Sequence, residues 1–353
     1  MPYEKLRELM DHGPVGFPKS ESGAETKILK WLFSEDEAKT ACFLSPIPEE
    51  VSQIADRTGE DEAKLSEKLE QMADRGLVFR IRRGGTTLFK MAAFQVGLYE
   101  YAVKRVDKEL AALFKEYYES TYQAASGAID IPGFKVIPVS EYIEPDKVLQ
   151  PFHKLEGKIR EARKIAVYDC ICRKEAHLLD HGCDHPMENC LAFGVAAEYF
   201  IDADLGREID ADEALRILKE ADDSGLIHAG ANSKHLSNIC NCCPCCCGSL
   251  KAVASHSYER KSFLNALYEA KIDQDECSSC ESCLDRCPVD ALTMDDIAVV
   301  DRDRCLGCGL CAGVCPTESI SMHLRPDRKD PYDRLAEMGA AMMERKQEMT
   351  DNI

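Results

Sequence analysis

Of the nineteen cysteines in this 353-residue sequence, eighteen lie between Cys170 and Cys315, and Cys42 stands alone in the first half. Thiolates are nucleophiles, metal ligands and redox centres, so their spacing is the first thing to read. Near the C-terminal end Cys277-Ser-Ser-Cys280-Glu-Ser-Cys283-Leu-Asp-Arg-Cys287-Pro288 aligns on Cys305-Leu-Gly-Cys308-Gly-Leu-Cys311-Ala-Gly-Val-Cys315-Pro316 with an offset of 28 residues. The flanks repeat too: Ile272-Asp273 matches Val300-Asp301, and Met294 matches Met322. An odd number of cysteines, a long chain and an N-terminus without a secretory pattern weigh against a disulfide scaffold. Metal or redox chemistry in a reducing, cytoplasmic setting is the expectation.

Two copies of C-x2-C-x2-C-x3-C-P, over about residues 270–323, resemble the bacterial two-cluster [4Fe–4S] ferredoxins. In that family three closely spaced thiolates take three corners of one cubane, and the fourth cysteine of the run reaches the other cluster. The resemblance implies that Cys277, Cys280, Cys283 and Cys315 hold one cluster, while Cys305, Cys308, Cys311 and Cys287 hold the second. Zinc ribbons also use C-x2-C pairs, but two complete runs of four cysteines ending in proline argue against them. Gly307, Gly309 and Gly313 of the second run face Ser279, Glu281 and Asp285 of the first, so the two sites are expected to differ in potential.

The ten other clustered cysteines are Cys170, Cys172, Cys183, Cys190, Cys240, Cys242, Cys243, Cys245, Cys246 and Cys247. Ten thiols within eighty residues are too many to be buried small hydrophobes. Adjacent side chains diverge, so they should not all reach one metal. Cys240 with Cys243, Cys242 with Cys245, and Cys243 with Cys246 have C-x2-C separation. The leading expectation is one further [4Fe–4S] cluster bridging the Cys170 and Cys240 loops. Two clusters using eight thiols, redox-active thiols, or zinc with His177, His181, His185 or His235 are the alternatives. Cys246-Cys247-Gly248 resembles the CCG motif of heterodisulfide-reductase-type subunits, but that family duplicates the motif at wide spacing and this chain does not. Arg173 and Lys174 are placed to lower thiolate pKa values or balance cluster charge.

The elements that must position these residues point to a multidomain α+β chain. Residues 1–95 read as a winged-helix-like unit, with helices at Glu25–Phe33, Pro48–Arg57 and Asp61–Arg75, then a hairpin turning at Gly84-Gly85. Residues 96–128 read as a connecting helix spanning Val96 to Tyr122. Residues 129–268 read as a small α/β cysteine-rich domain: strands at Phe134–Val139, Lys164–Tyr168 and Gly225–His228, helices at Asp146–Ala162, Cys190–Ile201 and Asp212–Ala221. By the ferredoxin resemblance residues 269–325 are expected to form a pseudo-twofold ferredoxin-type βαβ repeat, and 326–353 read as a helical tail.

Charge and composition narrow the function. Forty-four Lys and Arg against 63 Asp and Glu leave a net charge of −19, which repels nucleic acid and anionic lipid. The would-be recognition helix carries Asp61, Glu62, Glu67, Glu70 and Asp74 against Lys64, Lys68 and Arg75, so DNA contact through Arg80, Arg82 and Arg83 is disfavoured against a scaffold role. No apolar stretch reaches the roughly 20 residues of a membrane span. With no P-loop or dinucleotide fingerprint, the expected function is one-electron transfer through the clusters to a protein redox partner. A reductase with an open-site middle cluster and a redox-sensing DNA-binding regulator are the alternatives.

Overall fold

The computed structural model describes residues 1–138 and 155–351. The expected strand Phe134–Val139 and helix Asp146–Ala162 run partly through residues 139–154, outside the described residues. Their described parts are a strand at Phe134–Val136 and a helix at Leu155–Glu161.

The first unit packs helices Pro2–Asp11, Ala24–Leu32, Glu35–Ala41, Val51–Thr58 and Glu62–Asp74 against three strands. Strand β1 (Glu49–Glu50) pairs with β3 (Thr86–Met91), and β3 with β2 (Val78–Arg83). The helix expected from Pro48 begins instead at Val51, because Glu49 and Glu50 are drawn into the sheet edge and Glu50 caps the helix. Helices Pro2–Asp11 and Glu35–Ala41 were not anticipated; Ser34 and Glu37 form a capping box on the second of them. The hairpin turn works because Gly84 and Gly85 both take positive φ, 60° and 85°.

The segment expected as one helix from Val96 to Tyr122 is interrupted. Val96 adopts the left-handed region (φ 52°, ψ 48°), unusual for a β-branched residue. A new helix then starts at Lys108, capped by Asp107, whose carboxylate accepts from the Leu110 amide at 2.9 Å. Helix Lys108–Tyr117 continues through a wider turn, Tyr118–Tyr122, into Gln123–Ala128. Its aromatic stripe is core: Phe94, Phe114, Tyr117 and Tyr122 are buried and meet edge to face.

The middle region is built on seven strands: β4 (Phe134–Val136), β5 (Ile165–Asp169), β6 (Glu188–Phe193), β7 (Arg207–Glu208), β8 (Ile227–Ala231), β9 (Asn238–Cys242) and β10 (Leu264–Asn265). Their order is β10-β4-β8-β9-β6-β5-β7, antiparallel except for β10 with β4. The helix expected at Cys190–Ile201 begins only at Val195, and Cys190 lies on strand β6. The run Asn189-Cys190-Leu191-Ala192-Phe193 is short, apolar and fully buried, which suits an inner strand as well as it suits a helix.

Alternation gives this sheet two different faces. Ile165, Val167, Leu191, Phe193 and Ile239 pack with Ile159 of helix Leu155–Glu161 and with Ala214, Ile217 and Leu218 of helix Ala211–Asp223. Tyr168 and Cys190 sit opposite one another on the other face. The β6–β9 register, Leu191 with Ile239, brings Cys190 level with Cys240, and Cys242 follows two residues on along the same face.

The first unit is fixed to this region through helix Val195–Asp202. The hydroxyl of buried Tyr199 lies 3.0 Å from the carbonyl oxygens of both Ala73 and Val78, and Arg82 reaches Asp202 at 3.1 Å.

The last unit pairs β11 (Tyr268–Ile272) with β14 (Ile320–Leu324), and β12 (Leu292–Met294) with β13 (Ala298–Val300). The 28-residue offset of the sequence carries one ladder onto the other: Ile272 with Ile320 becomes Val300 with Leu292. Helix Leu335–Asp351 closes the chain, and Lys346 bonds the carbonyl of Asp11. Among the described residues no helix is long and apolar enough to cross a membrane.

Candidate metal centres

In the C-terminal unit the eight thiols line two cavities. Cys277, Cys280, Cys283 and Cys315 line one of about 10 Å³, and Cys287, Cys305, Cys308 and Cys311 line another of about 20 Å³. Each cavity thus draws three thiols from one run and one from the other. Donors already point at several sulfurs: the amide of Ala291 lies 3.2 Å from Cys287 Sγ, that of Ala270 3.5 Å from Cys305 Sγ, and the Ser319 hydroxyl 3.2 Å from Cys315 Sγ. Such contacts stabilise negative charge on sulfur and tune potential. Burial pushes the Cys308 thiol up to about 12, a cost that metal binding removes by holding the thiolate directly.

The two runs share one backbone form with different residues. Gly307 and Gly309 take φ 67° and 88°, and their counterparts Ser279 and Glu281 take 54° and 65°. Only the second run is sterically closed: a Cβ on Gly307 would collide with the backbone of Tyr268. Gly307→Ser, which copies the residue of the first run, is therefore expected to destabilise the unit by about 2–4 kcal/mol and to lower its iron content. Ser279→Gly should leave iron content unchanged; thermal unfolding with iron determination on both variants checks the asymmetry.

The ten middle thiols divide into two sets. Cys170, Cys172, Cys247, Cys242, Cys240 and Cys190 ring one cavity, each close enough to two others of the six to influence their ionisation. The ring borders a cavity of about 60 Å³, also lined by Glu100, Tyr168 and Arg173 and, at its margin, by Cys243 and Cys246 of the second set. Three elements supply the thiols. Cys190, Cys240 and Cys242 come from the sheet face. Cys170 is the N-cap of helix Ile171–Leu178 with Cys172 in its first turn, and Cys247 is the N-cap of helix Gly248–Ala254.

Six neighbouring buried thiols cannot all ionise without a cation to share the charge, and the interactions among them favour thiolate at some, Cys170 among them, at the expense of their neighbours. Burial of Glu100, with Cys240 close by, raises its carboxyl to about 8.

The second set is Cys183, Cys243, Cys245 and Cys246, whose sulfurs all lie within 4.8 Å of one another. A single turn sorts the Cys240–Cys247 run: Cys247 N donates to Cys243 O at 3.1 Å, so the three cysteines within or opening the turn leave on one side and the flanking Cys242 and Cys247 on the other. The expectation that adjacent cysteines diverge fails at Cys245 and Cys246, whose sulfurs are 3.8 Å apart. Of the C-x2-C pairs, Cys243 with Cys246 share a set, while Cys240 with Cys243 and Cys242 with Cys245 are split. Cys170 and Cys243 likewise fall in different sets. Among the described residues this compact set contains no histidine. His177 and His181 meet the carbonyls of Cys183 and Leu179. Cys42 lies far along the fold, half-buried, with Sγ 3.5 Å from Pro2 O.

Arg173, fully buried, stands between the two sets. Nη1 donates to Pro186 O and Asn189 Oδ1, both at 2.8 Å, and Nη2 to Asn241 O. Asn241 in turn bonds Asn189 O and, at 2.7 Å, His228 Nδ1. Burial works against the guanidinium charge, but the thiolates at Cys170 and Cys243 more than offset it. Asn189 Nδ2 and Arg173 Nε remain buried with no partner among the described residues, donors of the kind that anionic sulfur accepts from. Sequence reasoning placed Arg173 beside thiolates but missed Asn189 and Asn241, which only strand pairing brings in. Lys174 sits 3.8 Å from Asp169, an ordinary partly exposed ion pair.

Two of the three arginines considered for DNA contact are otherwise engaged. Arg80 is 3% exposed and bonds Asp74 at 2.7 Å as well as Glu70, and Arg82 is shared between Glu70 and Asp202, while Arg83 is exposed at the hairpin end.

Residues 270–322 match the family model of a 4Fe-4S dicluster domain. The match covers the last unit alone. No curated protein and no solved structure matches the chain.

Proposed function

We propose that this chain is an iron–sulfur electron-transfer protein that passes single electrons through two [4Fe–4S] clusters in residues 269–325, and a third iron–sulfur centre in the six-thiol ring, to a protein redox partner. The observation that carries the reading is the pair of four-thiol cavities within the region matched by the dicluster family. Cys277, Cys280, Cys283 and Cys315 would hold one cluster, and Cys287, Cys305, Cys308 and Cys311 the other.

The ring suits a polynuclear centre for a geometric reason. Any three ligands of one tetrahedral ion stand about 3.8 Å apart, as a metal–sulfur bond of about 2.3 Å requires. Among the described residues no three ring sulfurs all lie within 4.8 Å of one another, so the six belong on several metal atoms rather than one. Its cavity of about 60 Å³ exceeds the 10 and 20 Å³ of the other two. The protein's own contribution is fixed: two helix N-termini and buried Arg173 favour anionic sulfur, and the unpartnered donors of Asn189 and Arg173 are available to it.

In this reading residues 1–95 act as a winged-helix-like docking module. Arg80 and Arg82 are already neutralised by carboxylates, so they offer no charge to phosphate. The larger ring cavity keeps one second reading in play, a reductase whose middle centre takes a substrate. Anaerobic reductive titration followed by electron paramagnetic resonance tests the proposal. Electron transfer predicts one-electron reduction signals beyond those of two clusters, unchanged by small molecules. A middle-centre signal altered by added substrate would favour the reductase, and the absence of any reducible cluster would overturn both.

A further inference from the structure

We infer that Cys183, Cys243, Cys245 and Cys246 form a separate mononuclear site that binds one zinc ion, alongside the iron–sulfur centre of the ring rather than in place of it. The separations carry the inference. Tetrahedral zinc at about 2.3 Å from each sulfur sets neighbouring sulfurs about 3.8 Å apart. The sulfurs here stand at 3.8 Å (Cys183 to Cys243), 3.5 Å (Cys183 to Cys246) and 3.8 Å (Cys245 to Cys246), and all four are mutually within 4.8 Å. The four thiolates of a cubane each bind a different iron and must stand farther apart than the ligands of one ion. A tetrahedral set of four sulfurs with no nitrogen or oxygen donor suits zinc among the common divalent ions.

The two middle sites share no thiol. Cys242 and Cys247, which flank the turn, belong to the ring; Cys243 and Cys246 border the ring cavity as well, but their short sulfur–sulfur contacts are to Cys183 and Cys245. The location explains what such a site does. Cys183 lies in the loop between helix Ile171–Leu178 and β6, and the other three lie in the turn between β9 and helix Gly248–Ala254. Zinc across them clamps the two segments that end in ring cysteines, Cys172 and Cys190 on one and Cys242 and Cys247 on the other. Zinc has no accessible redox change, so the clamp stays intact while electrons pass beside it. Four thiolates around Zn²⁺ leave a net double negative charge, and Arg173, fully buried and bonded to the carbonyl of Asn241 two residues before Cys243, is the buried cation set against it.

The test is zinc and iron determination on the full chain purified anaerobically, with X-ray absorption at the zinc edge. About one zinc per chain with four sulfur neighbours at about 2.3 Å is expected. Cys245→Ser, at an exposed position, should weaken zinc binding at least about 10-fold while iron content holds. Cys183→Ser should do the same from the other segment. Loss of iron rather than zinc from these variants, or zinc held equally well in both, would overturn the inference. Should either variant fold poorly, the native protein still decides: absence of zinc, or zinc bound through nitrogen or oxygen, contradicts the site. Failure of the ring to hold iron would leave these outcomes unchanged, so the two readings fall separately.

Discussion

Cys242→Ser removes at least about four irons per chain and leaves about eight in place, because it opens the six-thiol ring without touching the C-terminal cavities. Cys242 lies on β9 and faces the ring cavity beside Cys240 and Cys247. Serine keeps the strand and its register but replaces a soft, long thiolate with a short hydroxyl that does not ligate iron at neutral pH. Cys190→Ser and Cys170→Ser should give the same loss, since each interrupts the same ring from a different element. Cys42→Ser, remote from every thiol set, should cost no iron. Iron and sulfide determination on the four variants measures the effect. Equal iron in Cys242→Ser and the parent protein would show that the ring is not a metal site.

Arg173→Leu should destabilise the middle region by about 3–5 kcal/mol, the cost of removing one partner from a buried charged network. Three acceptors, the carbonyls of Pro186 and Asn241 and the amide oxygen of Asn189, would lose their donors with no water to replace them. The two thiolate sets would also face each other without the cation between them. Arg173→Lys should not rescue the loss, because one ammonium group cannot reach three acceptors that a planar guanidinium spans. Denaturant unfolding of the two variants, with iron content followed in parallel, is the check. Near-parental stability in Arg173→Leu would mean that the network is dispensable.

Legibility in the sequence followed the range of the interactions. The C-terminal runs were readable because each loop carries its own three thiols, and the 28-residue repeat reappears as one strand ladder carried onto the other. The division of the middle thiols was not readable. Cys190 is level with Cys240 only through the β6–β9 register, and Cys183 meets Cys243 and Cys246 across sixty residues of chain. One signal was available: Asn-Ile-Cys240-Asn-Cys242 alternates with period two, which places both thiols on one face of a strand. Similarly, the broken helix after Val96 was masked by apolar periodicity, although Asp107 three residues before Leu110 is an N-cap in a recognisable position. Helix and strand cannot be distinguished by pattern in a run as short and buried as Asn189–Phe193, and that is where Cys190 was misplaced.

The central claim is that the chain holds iron–sulfur centres in its last unit and in the ring. Iron and acid-labile sulfide per chain, measured on anaerobically purified full-length protein, test it most directly. The account predicts at least about twelve irons with matching sulfide, eight from the two C-terminal clusters and the remainder from the ring. About eight irons would leave the ring without a cluster and contradict the three-centre account, and none would contradict it altogether.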